Sequence, residues 1–312
     1  MGGSGGSRFF PGPVNVERLK GKFRESEART IDQAYESEVQ RRLSELLAEY
    51  NDRDEGKTNA YLERIKKLLE EDIDGSLDLR FGGSVQKHTY VDGLSDVDCL
   101  VFLKDPELSK MIPKEVLNYF QAKLRERLRA AGEVTVGNLA VTVTYQDGTK
   151  IQLLPAIKKG AGLVISDGRG KEWSGIIRPD KFAGKLSEVN EACGWKVVPT
   201  IKLAKAAIYN MLGEGRLSGY HIESIAIEAF KSYQGTKTTK AMLLHFFDKA
   251  KDLVKVNIKD KTSQSVHVDD YLGPENNTAR RVISSELDRI SRRLKNADAI
   301  GSVSQWMKAI GE

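Results

Sequence analysis

The 312-residue sequence predicts an α+β fold: helices first, then a mixed or antiparallel sheet, then a helical half. Three observations carry that prediction. Apolar residues recur at helical spacing up to about residue 71. Short alternating or continuous apolar runs, punctuated by glycines, fill 77–166. Helical periodicity then returns from about residue 181 to the end. The expected division is a flexible tail at 1–13, a sheet-containing unit with its N-terminal helices at 14–180, and a helical domain at 181–312. The tail, MGGSGGS at its start, is flexible by composition, whether native or introduced by cloning.

Residues 14–50 are rich in Glu, Arg and Leu at helical spacing, and 59–71 places Leu62, Ile65, Leu68 and Leu69 on one face. Residues 73–75 end that helix. A short apolar segment at 77–81, a break at Gly82-Gly83 and a compact strand at 97–103 follow. Residues 113–130 read as a helix closed by Gly132. Two alternating runs, 133–145 and 150–157, flank Gln146-Asp147-Gly148-Thr149, and Asp-Gly is a strong hairpin signal. A strand at 163–166 leads into a glycine-rich loop at 167–175. Helical segments then fall at 183–191, 195–212, 220–232, 237–253 and 278–295, with 254–271 mixed and Pro274 before the last long helix. No internal repeat stands out.

Composition narrows the class. Hydrophobic residues are 40% and charged residues 30%, the balance of a soluble globular protein. No apolar run reaches 18 residues and no leader with a cleavage site is present, so the expectation is a cytoplasmic protein with no membrane partner. Cys99 and Cys193, the only cysteines, suit reduced thiols better than a disulfide framework. His88, His221, His245 and His267 lack metal-ligand spacing. The net charge of +5, from 49 basic and 44 acidic side chains, suits an anionic ligand and leaves nucleic-acid binding open.

One segment carries chemistry. Gly82-Gly83-Ser84 follows a strand and precedes a short helix; glycines let the backbone approach an anion, and a serine hydroxyl donates to a phosphate oxygen. By itself this is also an ordinary loop. Twelve residues after Ser84 comes Asp96-Val97-Asp98, whose carboxylates share a face if extended. Two such carboxylates beside an apolar strand repel unless a cation joins them, and a hard divalent ion such as Mg²⁺, with Mn²⁺ as an alternative, resolves the conflict. Two such ions roughly 3.5–4 Å apart would activate a hydroxyl and stabilise a departing pyrophosphate.

These residues resemble the DNA polymerase β-type nucleotidyltransferase superfamily, and within it the oligoadenylate synthase, cGAS and bacterial CD-NTase branch. Four blocks between 77 and 230 carry the likeness: Gly82-Gly83-Ser84 with Thr89; Ser95-Asp96-Val97-Asp98; Ile151 to Ala156, in place of Asp-hydrophobic-hydrophobic-Pro-Ala; and Ile201 to Lys205 with Leu217 to Glu223. The resemblance implies a polymerase β-like core with a C-terminal helical domain. It implies metal ligation by Asp96 and Asp98, and nucleotide contacts from Gly83, Ser84, Thr89, Lys202, Lys205, Ser218 and Tyr220. The implied activity is Mg²⁺-dependent, template-independent joining of nucleoside triphosphates, ATP among them, into a cyclic oligonucleotide second messenger. The implied setting is bacterial anti-phage (CBASS-type) signalling, with a regulatory protein or downstream effector as partner.

One departure stands out. The third metal carboxylate of the family falls at Gln152, which is neutral and cannot act as a base. Either Asp96 and Asp98 suffice, or Asp147 or another carboxylate substitutes, or the enzyme is impaired. Two rival functions follow: a relative making linear oligonucleotides or modifying RNA ends, and a catalytically silent nucleotide sensor or partner-binding module.

Several residues admit two readings. Lys205, with Lys202 nearby, is a solvated helix lysine or a triphosphate contact. Ser218 is a helix N-cap, a phosphate contact or both. Tyr220 stacks on a base or fills a core. His88 is a poor catalytic candidate, Asp92 and Asp105 solvate the ends of the core strand, and the loop 169–173 is either near the nucleotide or a surface loop with a packed Trp173.

Overall fold

A computed structural model describes residues 16–312 except 53, 72–76, 93, 131, 168, 214–215 and 259–268. The tail at 1–13, the helix stop at 73–75 and His267 lie outside the described residues. The chain runs α1 (Val16–Glu49), α2 (Glu55–Glu70), β1 (Asp78–Phe81), α3 (Gly83–Gln86), β2 (Val97–Phe102), α4 (Pro106–Lys110), α5 (Pro113–Arg127), β3 (Gly132–Val136), β4 (Val141–Tyr145), β5 (Lys150–Lys159) and β6 (Gly162–Ile165). Helices α6 (Pro179–Ala192), α7 (Val197–Leu212), α8 (Gly219–Phe230), α9 (Thr239–Leu253), α10 (Thr278–Ala299) and α11 (Val303–Ile310) complete it, with a 3₁₀ turn at Asp270–Leu272. Among the described residues, no helix is long and apolar enough to cross a membrane.

The sheet is mixed, as an α+β fold with one crossover requires. Its order is β1-β2-β5-β4-β3, with β6 on the later half of β5. Among the described strands, β2 and β5 alone run parallel, and their register sets Asp98 beside Gln152. The helices α2 and α5 cover one face. There Val97, Cys99 and Val101 pack with Leu62, Ile65, Phe120 and Leu124. Period-2 alternation therefore sends Asp98 and Gln152 to the opposite face. That face is the one left for a site.

Two expectations change here. The run 133–145 is two strands, because Gly137 folds the chain back (Gly137 N–H to Ala140 carbonyl, 2.9 Å) and pairs Val136 with Val141. Asp105 does not merely solvate a strand end: its carboxylate accepts from the N–H groups of Glu107 (2.7 Å) and Leu108 (3.0 Å), capping α4. A helix outside the expected segments, α11, is capped by Ser302 and seals Trp306 into the core.

A second hydrophobic cluster joins α6 to α11. The later half of α1 belongs to it through Val39, Leu43 and Leu46, although the sequence groups that helix with the sheet.

Candidate active site

The phosphate-loop segment is built around Asp98. Gly82 N–H donates to the Asp98 carbonyl at 2.9 Å, continuing the β1–β2 ladder by one residue. Gly83 then turns with φ +48°, and a Cβ placed there would lie 1.7 Å from Asp98 Oδ2. Only glycine satisfies both the left-handed backbone and this close approach. Ser84 follows Gly83 in the first turn of α3, and its N–H points at Asp98 Oδ2 from 3.4 Å. Burial pushes the Asp98 carboxyl pKa up; the Ser84 N–H and Lys87 pull it down, while Asp96 and Glu223 raise it further.

Asp96 sits one residue before β2. Gln152 Nε2 donates to Asp96 Oδ2, so the neutral residue at the expected acid position is bonded to the first aspartate. The three side chains share a cleft of about 540 Å³. Gly83, Ser84, Lys205, Ser218 and Tyr220 line the same cleft. A buried carboxylate next to a second one is a poor arrangement without a cation, so the donor set suits a hard divalent ion completed by water and substrate oxygens.

Thr89 and Lys202 do not line the cleft. Thr89 is fully buried; its hydroxyl donates to Glu223 and its carbonyl accepts from Lys205 Nζ at 2.9 Å. Lys202 donates instead to Asn51 Oδ1, beside the link between α1 and α2. Both are consumed by bonds that join chain segments.

Lys205 is held by Glu223 Oε1 at 2.9 Å as well as by Thr89. Glu223 also pairs with Lys87, a cleft residue that sequence reasoning missed. The available signal was its i+3 spacing from Ser84, but a lone lysine on a polar stretch reads as solvated. Its ammonium lies 5.0 Å from the Phe182 ring centre and 5.1 Å from that of Tyr220. The two rings are themselves 4.5 Å apart. Burial raises the Glu223 pKa, but Lys205, Lys87 and Thr89 outweigh it and hold the carboxyl down to about 2. Two cations and one anion leave a fixed positive charge facing the cleft.

Ser218 is the N-cap of α8, its Oγ accepting from His221 N–H at 3.2 Å. Its own N–H donates to Tyr271 Oη at 2.9 Å, and that hydroxyl reaches His221 Nδ1 at 3.1 Å. Burial lowers the His221 pKa to about 4, with Asp269 opposing, so the ring is neutral at pH 7. Tyr271 Oη therefore joins Ser218 N–H to the neutral His221 ring. A fully buried Asp269–Arg280 pair (2.5 Å) and the Arg280 bonds to the Gly273 carbonyl brace the turn that carries Tyr271. Nothing in the sequence around 271 marked it.

Other candidates lie elsewhere. His88 is exposed, with φ +58°. Asp92 accepts from Tyr90 Oη at 3.2 Å. Trp173 Nε1 donates to the Met111 carbonyl at 3.0 Å, so the loop 169–173 packs near the start of α5 rather than entering the cleft.

No family model and no curated protein matches the chain. Solved structures do. The CD-NTase CdnG of Bradyrhizobium diazoefficiens, in complex with GTP, superposes with a TM-score of 0.61 at 13% identity, over 81% of this chain and 92% of that one. The chain carries the CD-NTase fold. The same fold relates it to the Vibrio cholerae cyclic AMP-GMP synthase DncV with a linear intermediate (TM-score 0.61, 12% identity, 93% and 88% covered). CdnC of E. coli MS115-1, in complex with HORMA-deltaN, follows at 0.58, 16% identity, and 81% and 90%. At these identities the CD-NTase likeness is one of fold.

Proposed function

We propose that this chain is a template-independent nucleotidyltransferase that joins nucleoside triphosphates, ATP among them, into a cyclic oligonucleotide. The observation that carries this reading is the convergence, in one cleft, of the Asp96–Asp98 pair with Ser84, Lys87 and Lys205. A ribose hydroxyl oxygen forms a bond to the α-phosphorus, the bond from that phosphorus to the bridging oxygen breaks, pyrophosphate leaves and the hydroxyl proton passes to solvent. Asp96 and Asp98 would hold Mg²⁺ or Mn²⁺, which when bound lowers the pKa of the attacking hydroxyl and neutralises charge on the leaving group.

The protein's own groups do the positioning. Gly83 keeps the backbone clear of Asp98, and Ser84 offers a hydroxyl to a phosphate oxygen. Lys205 and Lys87, pre-set by Glu223, attract the triphosphate without reorganising. Tyr220, about a third exposed (36%), presents a ring face to a base. The setting that fits is cytoplasmic, in anti-phage signalling of the CBASS type, with a protein regulator or effector. The nucleotide complexes and the HORMA complex among proteins of this fold support nucleotide substrates and a protein regulator.

Incubation with the four radiolabelled ribonucleoside triphosphates and Mg²⁺ or Mn²⁺, then phosphatase treatment and mass analysis, tests this. The expected product has no terminal phosphate. Asp96→Ala combined with Asp98→Ala should remove it. The bond from Gln152 to Asp96 favours one second reading, a catalytically silent nucleotide binder. Nucleotide binding with no product under any metal would establish that reading in place of the first.

Tyr271→Phe tests how Ser218 is set. The variant loses the hydrogen bonds of the Tyr271 hydroxyl to Ser218 and His221, each worth about 1 kcal/mol. The expected outcome is a KM for the triphosphate raised about fivefold with kcat nearly unchanged. Equal loss in kcat and kcat/KM would mean that Tyr271 does not act through ground-state positioning.

A further inference from the structure

The cleft's acids can be counted, and the count is short. Gln152 is half-buried, paired on one side with Asp98 and on the other with Thr142, so its backbone has no freedom to slide another residue into its place. Its amide already occupies one oxygen of Asp96. The nearest acid along this hairpin, Asp147, is five residues away, on the order of 15 Å along an extended strand. It is bound by Lys57 (2.5 Å), Tyr61 Oη (3.0 Å) and Thr149 N–H (2.9 Å), and it lines an adjoining cavity of about 480 Å³ that meets the cleft at Leu94, Ser95, Asp96 and Tyr209 but includes neither Asp98 nor Gln152. Glu223 lines the cleft, but Lys205, Lys87 and Thr89 take up its carboxylate. Among the described residues, no group of three or more His, Cys, Asp or Glu could hold a metal ion.

We infer that this cleft takes a single divalent cation, the one that arrives with the nucleoside triphosphate, and that Gln152 is the residue that excludes a second. This rests on the nucleotide-binding reading above. Two divalent ions a few ångströms apart bring four positive charges. Asp96 and Asp98 supply two negative charges, and an amide, whichever way it is turned, supplies none. A triphosphate adds charge along one side of the site only, where the first ion binds it. A second ion on the side of Gln152 would meet one carboxylate oxygen already engaged and a neutral partner. A third carboxylate at 152 would reverse this, adding a charge and removing the competing N–H donor.

The full-length protein is saturated with a non-hydrolysable ATP analogue and titrated with Mn²⁺. Equilibrium dialysis counts ions per bound nucleotide, and electron paramagnetic resonance distinguishes an isolated Mn²⁺ from a spin-coupled pair. One uncoupled ion is expected for the wild type, and two coupled ions for Gln152→Asp. Gln152→Glu, which keeps the side-chain length, is the second variant should Gln152→Asp fold poorly. Two ions in the wild type overturn the inference while leaving nucleotide binding intact. One ion in both carboxylate variants overturns the role given to Gln152. Absence of nucleotide-dependent Mn²⁺ uptake in every protein overturns this inference and the proposed function together.

Discussion

Asp98→Asn is expected to raise the melting temperature of the ligand-free protein while lowering nucleotidyl transfer at least about a hundredfold. The two effects share one cause. Burial, with Asp96 and Glu223 adding to it, pushes the Asp98 pKa up, so folding disfavours the ionised carboxylate that the unfolded chain carries at neutral pH. A group with a raised folded pKa contributes its stability below the unfolded value and loses it as pH rises through the folded one. The variant's advantage should therefore be present at pH 7, shrink as pH falls toward the ordinary carboxylate range, and vanish below it, where both states of the wild type are protonated. The activity loss follows from removing the charge that the proposed function gives to a divalent cation, a contribution of several kcal/mol, at about 1.4 kcal/mol per factor of ten. Thermal melts at pH 7 and pH 4, with turnover of labelled triphosphates, check both halves. A lower melting temperature with retained turnover would make Asp98 a structural residue.

Glu223→Gln is expected to destabilise the protein by about 3–5 kcal/mol at pH 7, the cost of leaving buried cations without their counter-ion. Lys205 and Lys87 have side-chain exposures of 9% and 8%, and among the described residues Glu223 is the carboxylate that pairs with each. The Glu223 pKa is depressed from its ordinary value to about 2, so its contribution is complete above the ordinary range and is lost as pH falls through the folded value. The gap between wild type and variant should hold from pH 8 to pH 5 and narrow toward pH 2. Denaturant unfolding across that range measures it. A gap independent of pH down to 2 would assign the loss to packing. The variant should also bind triphosphate less well despite its extra positive charge, because Lys205 is then placed only by Thr89.

Where the chemistry is local, the sequence was sufficient. The Asp-Gly hairpin between β4 and β5 and the compact strand β2 follow from turn chemistry and apolar patterning over a few residues. The glycine-serine turn after β1 was legible as well, but its close approach to Asp98 came only from the pairing of β1 with β2. The end of β3 was legible too, since the inward positions change from even (Val134) to odd (Val141, Val143) across Gly137. That phase slip is the turn. Helix α11 was missed because eight residues show little more than two turns of periodicity.

The sequence by itself determined the sheet-then-helices order, the Asp96–Asp98 pair beside a glycine-serine turn, and the neutrality of position 152. Only the tertiary structure decided what surrounds them. The parallel register that sets Gln152 beside Asp98 joins residues 54 positions apart, with no local pattern to announce it. Lys87, Thr89, Lys205 and Glu223 come from three separate parts of the chain; each reads singly as a solvated or ligand-facing group, and only burial shows them bonded to one another. Tyr271 reaches Ser218 across 53 residues for the same reason. Patterning reports which face a residue takes within its own element. Which charges must be satisfied together depends on where those faces meet, and that is settled by the packing of distant elements.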